Sequence, residues 1–198
     1  MKIPRAFTLL IGFVSLVAIN LTGGTASANP VTYTETATVG GSLNGVSFSN
    51  QVITLTGSGN TANITQPTPG VFENFLTLLF SITGGVGSGT FTNSTFVLSN
   101  NSGIIGGFSD ATGNAAILLT TNAAFGTYDL STSLSPVSGT ATTNQGRQNP
   151  TTAGPLVFNF NTTATFSADV VPLPAALPLF ATGIGGLGLL GWRRKRKA

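Results

Sequence analysis

The sequence predicts a mainly β fold: an antiparallel β-sandwich-like single domain, flanked by an N-terminal signal helix and a C-terminal transmembrane helix. Three observations predict it. Apolar, aromatic and β-branched residues are interleaved with Thr and Ser in short segments punctuated by Gly, Asn and Pro, the pattern of half-buried strands joined by tight turns. Charge is nearly absent from the middle of the chain and basic at both ends. Long uncharged apolar runs lie beside those basic ends, at 6–19 and 173–192.

The N-terminal segment has the layout of an export signal. Lys2 and Arg5 form a positive n-region, Ala6 to Ile19 carries no charge, and Ala26-Ser27-Ala28 has the small-x-small form of a signal peptidase site. Ala26, Ala28 and Asn29 are therefore the candidate cleavage-site residues, with cutting after Ala28 leaving Asn29 first. The alternative is an uncleaved signal anchor; Asn20, Thr22 and the two glycines that follow favour cleavage by ending the apolar helix. Residues 1–28 are thus expected to be a signal peptide read by the general secretion machinery and signal peptidase.

Residues 29–170 form the exported Thr/Ser/Asn/Gly-rich domain, and about 140 residues suffice for one core without implying two. Segments 32–39, 52–56, 75–83, 89–98, 115–120, 156–161 and 164–171 read as strands. Turn chemistry separates them at Gly40-Gly41, Asn44-Gly45, 57–60, 67–70, Gly84-Gly85, 100–103, Gly106-Gly107 and Gly113-Asn114. Two stretches leave the choice open. Asn74 to Phe80 suits a strand buried on both faces or a short helix, and 111–130 suits a strand or a helix of two or three turns. Ser138 to Gly154, rich in Thr, Asn, Gln and Gly, is expected to be a long exposed loop.

The net charge of +3 comes from the ends. Seven of the eight basic residues lie there, leaving Arg147 against Glu35, Glu73, Asp110, Asp129 and Asp169 and a body charge of −4. No basic patch is available for phosphates, so no nucleic-acid partner is expected. Without cysteine the body has no disulfide framework and no thiolate metal site.

The inventory for catalysis is poor. The chain has no His and no Cys, and its body no Lys, which removes Ser-His-Asp, Cys-His and Ser-Lys chemistry, His-rich zinc sites and Schiff bases. A carboxylate pair, as a glycosidase requires, is the remaining option, but the five acids show no spacing signature. The expected answer is no enzyme, no catalytic residues, no cofactor and no metal. Gly183-Ile184-Gly185-Gly186-Leu187-Gly188 matches a dinucleotide fingerprint in form but lies within the apolar C-terminal run, not in a βαβ unit. Asp110 to Asn114 is too thin in ligands for a calcium loop and reads as an Asx-type turn. Asn-x-Ser/Thr triplets begin at Asn63, Asn93, Asn100 and Asn161, and in a chain this rich in Thr and Asn they arise by chance.

Residues 171–198 have three parts in order. Val171, Pro172, Leu173, Pro174 and Ala175 form a Pro-rich entry, 173–192 is uncharged, and Arg193, Arg194, Lys195, Arg196 and Lys197 end the run beside Trp192. About 20 residues at about 1.5 Å each match a hydrocarbon core of about 30 Å. The basic cluster would hold that end in the cytoplasm and leave the body outside.

These residues resemble the PEP-CTERM sorting domain in its VPLPA form; Leu173 stands where the commoner form has Glu. The resemblance implies a Gram-negative bacterium that makes exopolysaccharide. It also implies that exosortase, a membrane-embedded protease or transpeptidase, recognises and removes the tail. The precursor would sit in the inner membrane, and the product at the cell surface or in the extracellular matrix.

The body is similar to a recurrent domain of such proteins through 45–50, 107–112 and 124–130, which implies an extracellular domain with no assigned activity. The expected role is structural or adhesive in exopolysaccharide or biofilm, with hydroxyl and amide side chains meeting sugar hydroxyls and Phe or Tyr faces stacking on sugars. The alternatives are a secreted carboxylate-dependent carbohydrate-active enzyme and an unprocessed single-pass envelope protein.

Overall fold

Residues 28–172 are described by a computed structural model. Eleven strands alternate with turns: β1 (Pro30–Leu43), β2 (Val46–Asn60), β3 (Thr65–Thr68), β4 (Val71–Ile82), β5 (Gly87–Thr90), β6 (Thr95–Asn100), β7 (Ile105–Asp110), β8 (Ala115–Thr121), β9 (Leu134–Thr142), β10 (Gln148–Asn149) and β11 (Leu156–Val170). Short 3-10 turns occupy Thr61–Asn63 and Ala123–Gly126.

Eight strands run β1-β2-β4-β6-β7-β8-β9-β11, and β11 pairs back onto β1, every pairing antiparallel. The sheet is therefore a closed barrel, and the expected sandwich is corrected to it. The closing seam runs from Val31 opposite Val170 to Leu43 opposite Leu156, with register shifts near Val39 and Gly40. Alternating hydrophobicity is common to sandwiches and barrels. What separates them is the pairing of the first and last strands, which no local pattern encodes. Strands β3 and β5 pair beside β4, and β10 pairs with β11.

The interior is packed with side chains, as expected of an eight-stranded barrel. Val31, Tyr33, Ala37 and Val39 from β1, Ile53 and Leu55 from β2, and Leu78 and Phe80 from β4 are all buried. Phe166 of β11 sits among Phe108, Phe125, Tyr33 and Tyr128, with ring centroids 5.4–6.4 Å apart. The outward positions of β1 are Thr32, Thr34, Thr36 and Thr38. Along β1 hydroxyls thus face out, and apolar residues together with Glu35 face in.

Several local expectations are corrected by this packing. Asn74 to Phe80 is a strand that alternates instead of burying both faces: Asn74, Leu78 and Phe80 point in, while Phe75 and Leu79 are half exposed. The 111–130 stretch is split between β8 and the Ala123–Gly126 turn. The expected 89–98 strand breaks at Phe91, whose ring turns inward against Phe80 at 5.7 Å. The segments 156–161 and 164–171 merge into β11.

The 138–154 stretch is largely ordered by pairing. Ser138 to Thr142 belong to β9, and Asn149 and Thr151 are buried. Thr92 N donates to Pro150 O and Thr152 N to Thr90 O, tying this stretch to the β5–β6 region. Gly40-Gly41, 57–60 and Gly106-Gly107 lie inside strands and not in turns. A Cβ on Gly41 would collide with the Val157 carbonyl, and one on Gly106 with the Phe125 ring, so these glycines permit close approach.

The barrel has two distinct ends. At one, β1 begins, β11 ends, and the 61–70, 101–104 and 122–133 connections cluster. At the other lie the 44–45, 83–94, 111–114 and 143–155 connections.

Candidate processing end and surface groove

Both terminal exits are held at the first of these ends. Asn29 exchanges backbone bonds with the Thr61 turn: Thr61 N donates to Asn29 O at 3.0 Å, and Asn29 N donates to Thr61 Oγ1 at 3.1 Å. Val171 N donates to Pro30 O at 2.9 Å, so the barrel's hydrogen bonding reaches the first residue of the Pro-rich motif. Val171 is 59% exposed and Pro172 is exposed beyond it. The structure thus brings together Ala28 and Asn29 with Val171 and Pro172. Ala26, Leu173, Pro174, Ala175 and the cluster Arg193, Arg194, Lys195, Arg196 and Lys197 lie outside the described residues. So do the expected signal and transmembrane helices. Among the described residues no helix is long and apolar enough to cross a membrane.

The same end is stoppered by the turn after β8. Asn122 caps the 3-10 turn by accepting from Ala124 N at 2.8 Å, which drives Phe125 inward over Gly106. Tyr33 OH donates to Leu130 O at 2.9 Å, and Ser99 Oγ donates to Tyr128 O at 2.8 Å. Burial pushes the Tyr33 phenol up to about 12, with the Asn74 hydrogen bond opposing and the Asp129 charge reinforcing that shift. The 124–130 segment, singled out in the sequence, is this stopper.

Beside that end, on the outer surface, a groove of ≈ 550 Å³ runs between β1 and β11 on one side and the start of β9 on the other. Its polar lining is Thr32, Thr34, Ser133, Ser135, Ser167 and Asp169. The wall has a local cause. Phe166 pairs with Val137 and Ala168 with Leu134, so β9 places two residues, Ser135 and Pro136, opposite Ser167 alone. Pro136 has no N–H for the ladder, and the β9–β11 ladder is interrupted at this bulge before it resumes at Leu134. Thr34, Ser135, Ser167 and Asp169 make no side-chain hydrogen bond or ion pair within the described residues.

The five body carboxylates occupy different surroundings. Glu35 is fully buried inside the barrel, where Thr120 Oγ1 donates to its Oε1 at 2.7 Å and Oε2 has no partner. Burial pushes its carboxyl well above the ordinary range, against the opposing effects of Thr120 and the nearby Phe108 amide. Asp110, at the opposite end, is 2% exposed and receives Arg147 at 2.9 Å, Asn93 at 2.8 Å and Thr112 N at 2.6 Å. Burial opposes its ionisation, but these donors outweigh it and hold the carboxyl below its ordinary range. Asp129 Oδ1 accepts from the Ser131 backbone and hydroxyl, at 3.0 and 2.7 Å. Burial raises the Glu73 carboxyl, and Asp169 is the one acid lining the groove.

Arg147 is thus engaged with Asp110 and with Thr112 O at 2.8 Å, and no cation stands beside the groove among the described residues. No group of three or more His, Cys, Asp or Glu gathers as a metal site among the described residues. The aromatic surface expected for sugar stacking is reduced: Tyr33 and Tyr128 are buried, and Phe75 is half exposed. The groove itself escaped the sequence reading. Its available signal was the Thr32-x-Thr34 alternation facing Ser167-x-Asp169, legible only once β1 and β11 are known to pair.

No family model, curated protein or solved structure matches this chain.

Proposed function

We propose that the protein is exported through its N-terminal signal and sorted through residues 171–198 by exosortase. On this reading it works at the cell surface or in the extracellular matrix as a structural or adhesive component of exopolysaccharide or biofilm, not as an enzyme. The inner membrane holds the precursor by the 173–192 helix and the basic cluster that follows. The observation that carries this reading is the pairing of Asn29 and Pro30 with Thr61 and Val171 at one end of the barrel. A body with both exits on one side can remain folded while each is processed.

The hydroxyl-rich outer face supports adhesion, since Thr and Ser donate to and accept from polysaccharide hydroxyls without needing a deep site. The placement of the acids favours this over the carboxylate-enzyme alternative. Glu35 is sealed inside, and Asp110 is committed to Arg147.

The test is the intact mass and terminal peptides of the protein recovered from its native surface and medium. Chains beginning at Asn29 and ending near Pro172 are expected. Retention of Trp192 and the basic residues would instead make it a permanently anchored envelope protein, and loss of neither end would remove the sorting reading.

A further inference from the structure

We infer that the groove between β1, β11 and the β9 bulge binds a short segment of a neutral glycan chain. The inference rests on the adhesive reading above and assigns it a site.

The lining selects the ligand by elimination. Thr34, Ser135, Ser167 and Asp169 present polar atoms without internal partners, and Thr32 adds a hydroxyl whose nearest protein partner, Ser58 Oγ, is 3.5 Å away. Hydroxyl-type lining wants a ligand that both donates and accepts. A peptide strand gains no edge on the floor of the groove, because β1 and β11 are each paired on both sides there; the 134–138 part of β9 is paired with β11 alone, β8 joining only from Thr140. An anion meets the Asp169 carboxylate and, among the described residues, no cation, since Arg147 is bound to Asp110 at the other end of the barrel. A divalent cation finds one carboxylate where such sites gather several.

A polyol satisfies every group. Asp169 can accept two hydroxyls, and Thr34 and Ser167, directly opposite one another across β1 and β11, supply paired donors and acceptors. Outward side chains repeat at about 6.8 Å along a strand and about 4.8 Å across strands, so successive sugar hydroxyls meet a regular lattice. Leu134, Pro136 and Ala168 provide apolar ground for C–H faces, since no aromatic ring lines the groove. A volume of ≈ 550 Å³ falls in the ~300–1,000 Å³ range of ligand sites, enough for a few sugar rings and not for a globular partner.

The full chain in detergent should be titrated calorimetrically with linear β-1,4- and β-1,3-glucan hexasaccharides, and with oligogalacturonate as an anionic control. The expected result is binding of a neutral hexasaccharide, at least tenfold weaker in T34V/S167V and in D169N, with the melting temperature of each variant unchanged. Preference for oligogalacturonate, or equal binding by wild type and variants, overturns the assignment.

A second measurement separates this site from the adhesive reading. Wild type and variants should be compared for retention on isolated native matrix polysaccharide. If all are retained equally, the groove is the wrong site and adhesion stands; if none is retained, both fall. Wild-type retention that T34V/S167V loses supports both.

Discussion

Glu35 and Asp110 show how one residue type is set to opposite ends of its range by what surrounds it. The Glu35 carboxyl lies in the apolar interior with one hydroxyl donor, so the neutral form is favoured; Asp110 has three donors, one of them a guanidinium, so the anion is favoured. Their effects on stability have opposite signs. Glu35 is raised in the folded state, so its contribution is full below the unfolded value of about 4.3 and is lost as pH rises toward the folded value, at up to about 1.4 kcal/mol per pH unit. Asp110 is lowered, so its contribution is present above about 3.9 and is lost as pH falls through the folded value. Urea unfolding from pH 3 to 9 should show both limbs. Glu35→Gln is expected to flatten the alkaline limb and leave the acid one, and Asp110→Asn the reverse. A Glu35→Gln curve parallel to wild type throughout would contradict the assigned environment of the carboxyl.

Strands in this protein are recognisable from alternation, but their ends and interruptions are decided by what lies across from them. Glycine is the clearest case. Gly106-Gly107 reads as a turn, yet both residues sit inside β7, because Phe125 packs over the first and the Leu118 carbonyl and Glu35 Oε2 crowd the second. Gly107 has φ +142°, a conformation open to glycine and strained for any other residue. Gly107→Ala combines that strain with a collision against strand backbone and is expected to cost about 3 kcal/mol, read as a lower urea midpoint at unchanged m-value. Where a turn signal suits the local backbone it holds: Asn44-Gly45 adopts φ +50° and +81° and joins β1 to β2, and Asn44 N also donates to Pro155 O at 2.9 Å. Pro136 belongs to the same scale. Its missing N–H is legible in sequence, but the groove that its bulge produces needs β11 alongside.

At the scale of the whole molecule, closure brings the first and last strands together over 31–43 and 156–170, so the chain leaves the barrel almost where it enters. That adjacency predicts tolerance to permutation. A 29–172 chain joined from Pro172 to Asn29 by a short Gly-Ser linker and opened between Asn44 and Gly45 should fold with stability within about 2 kcal/mol of its parent. Near-ultraviolet circular dichroism from the buried Tyr33 and Tyr128 should be retained. A permutant that loses this signal would contradict the seam. Only the β1–β11 seam joins strands far apart in the chain, so its closure should be the late step of refolding in the parent.

The amino-acid sequence by itself determined the β class, the scarcity of charge in the body, the absence of His and Cys, and the alternation of β1, β2 and β11, because composition and period-two patterning are local properties. It also carries the export and sorting expectations, which rest on residues mostly outside the described fold. The tertiary structure decided that the sheet closes into a barrel, that 124–130 stoppers one end, that Glu35 is buried while Asp169 is exposed to a groove, and that Asn29 and Val171 emerge together. The reason is physical. Each of these depends on which strand lies beside which, and that choice is made by packing and hydrogen bonding between residues far apart in the chain.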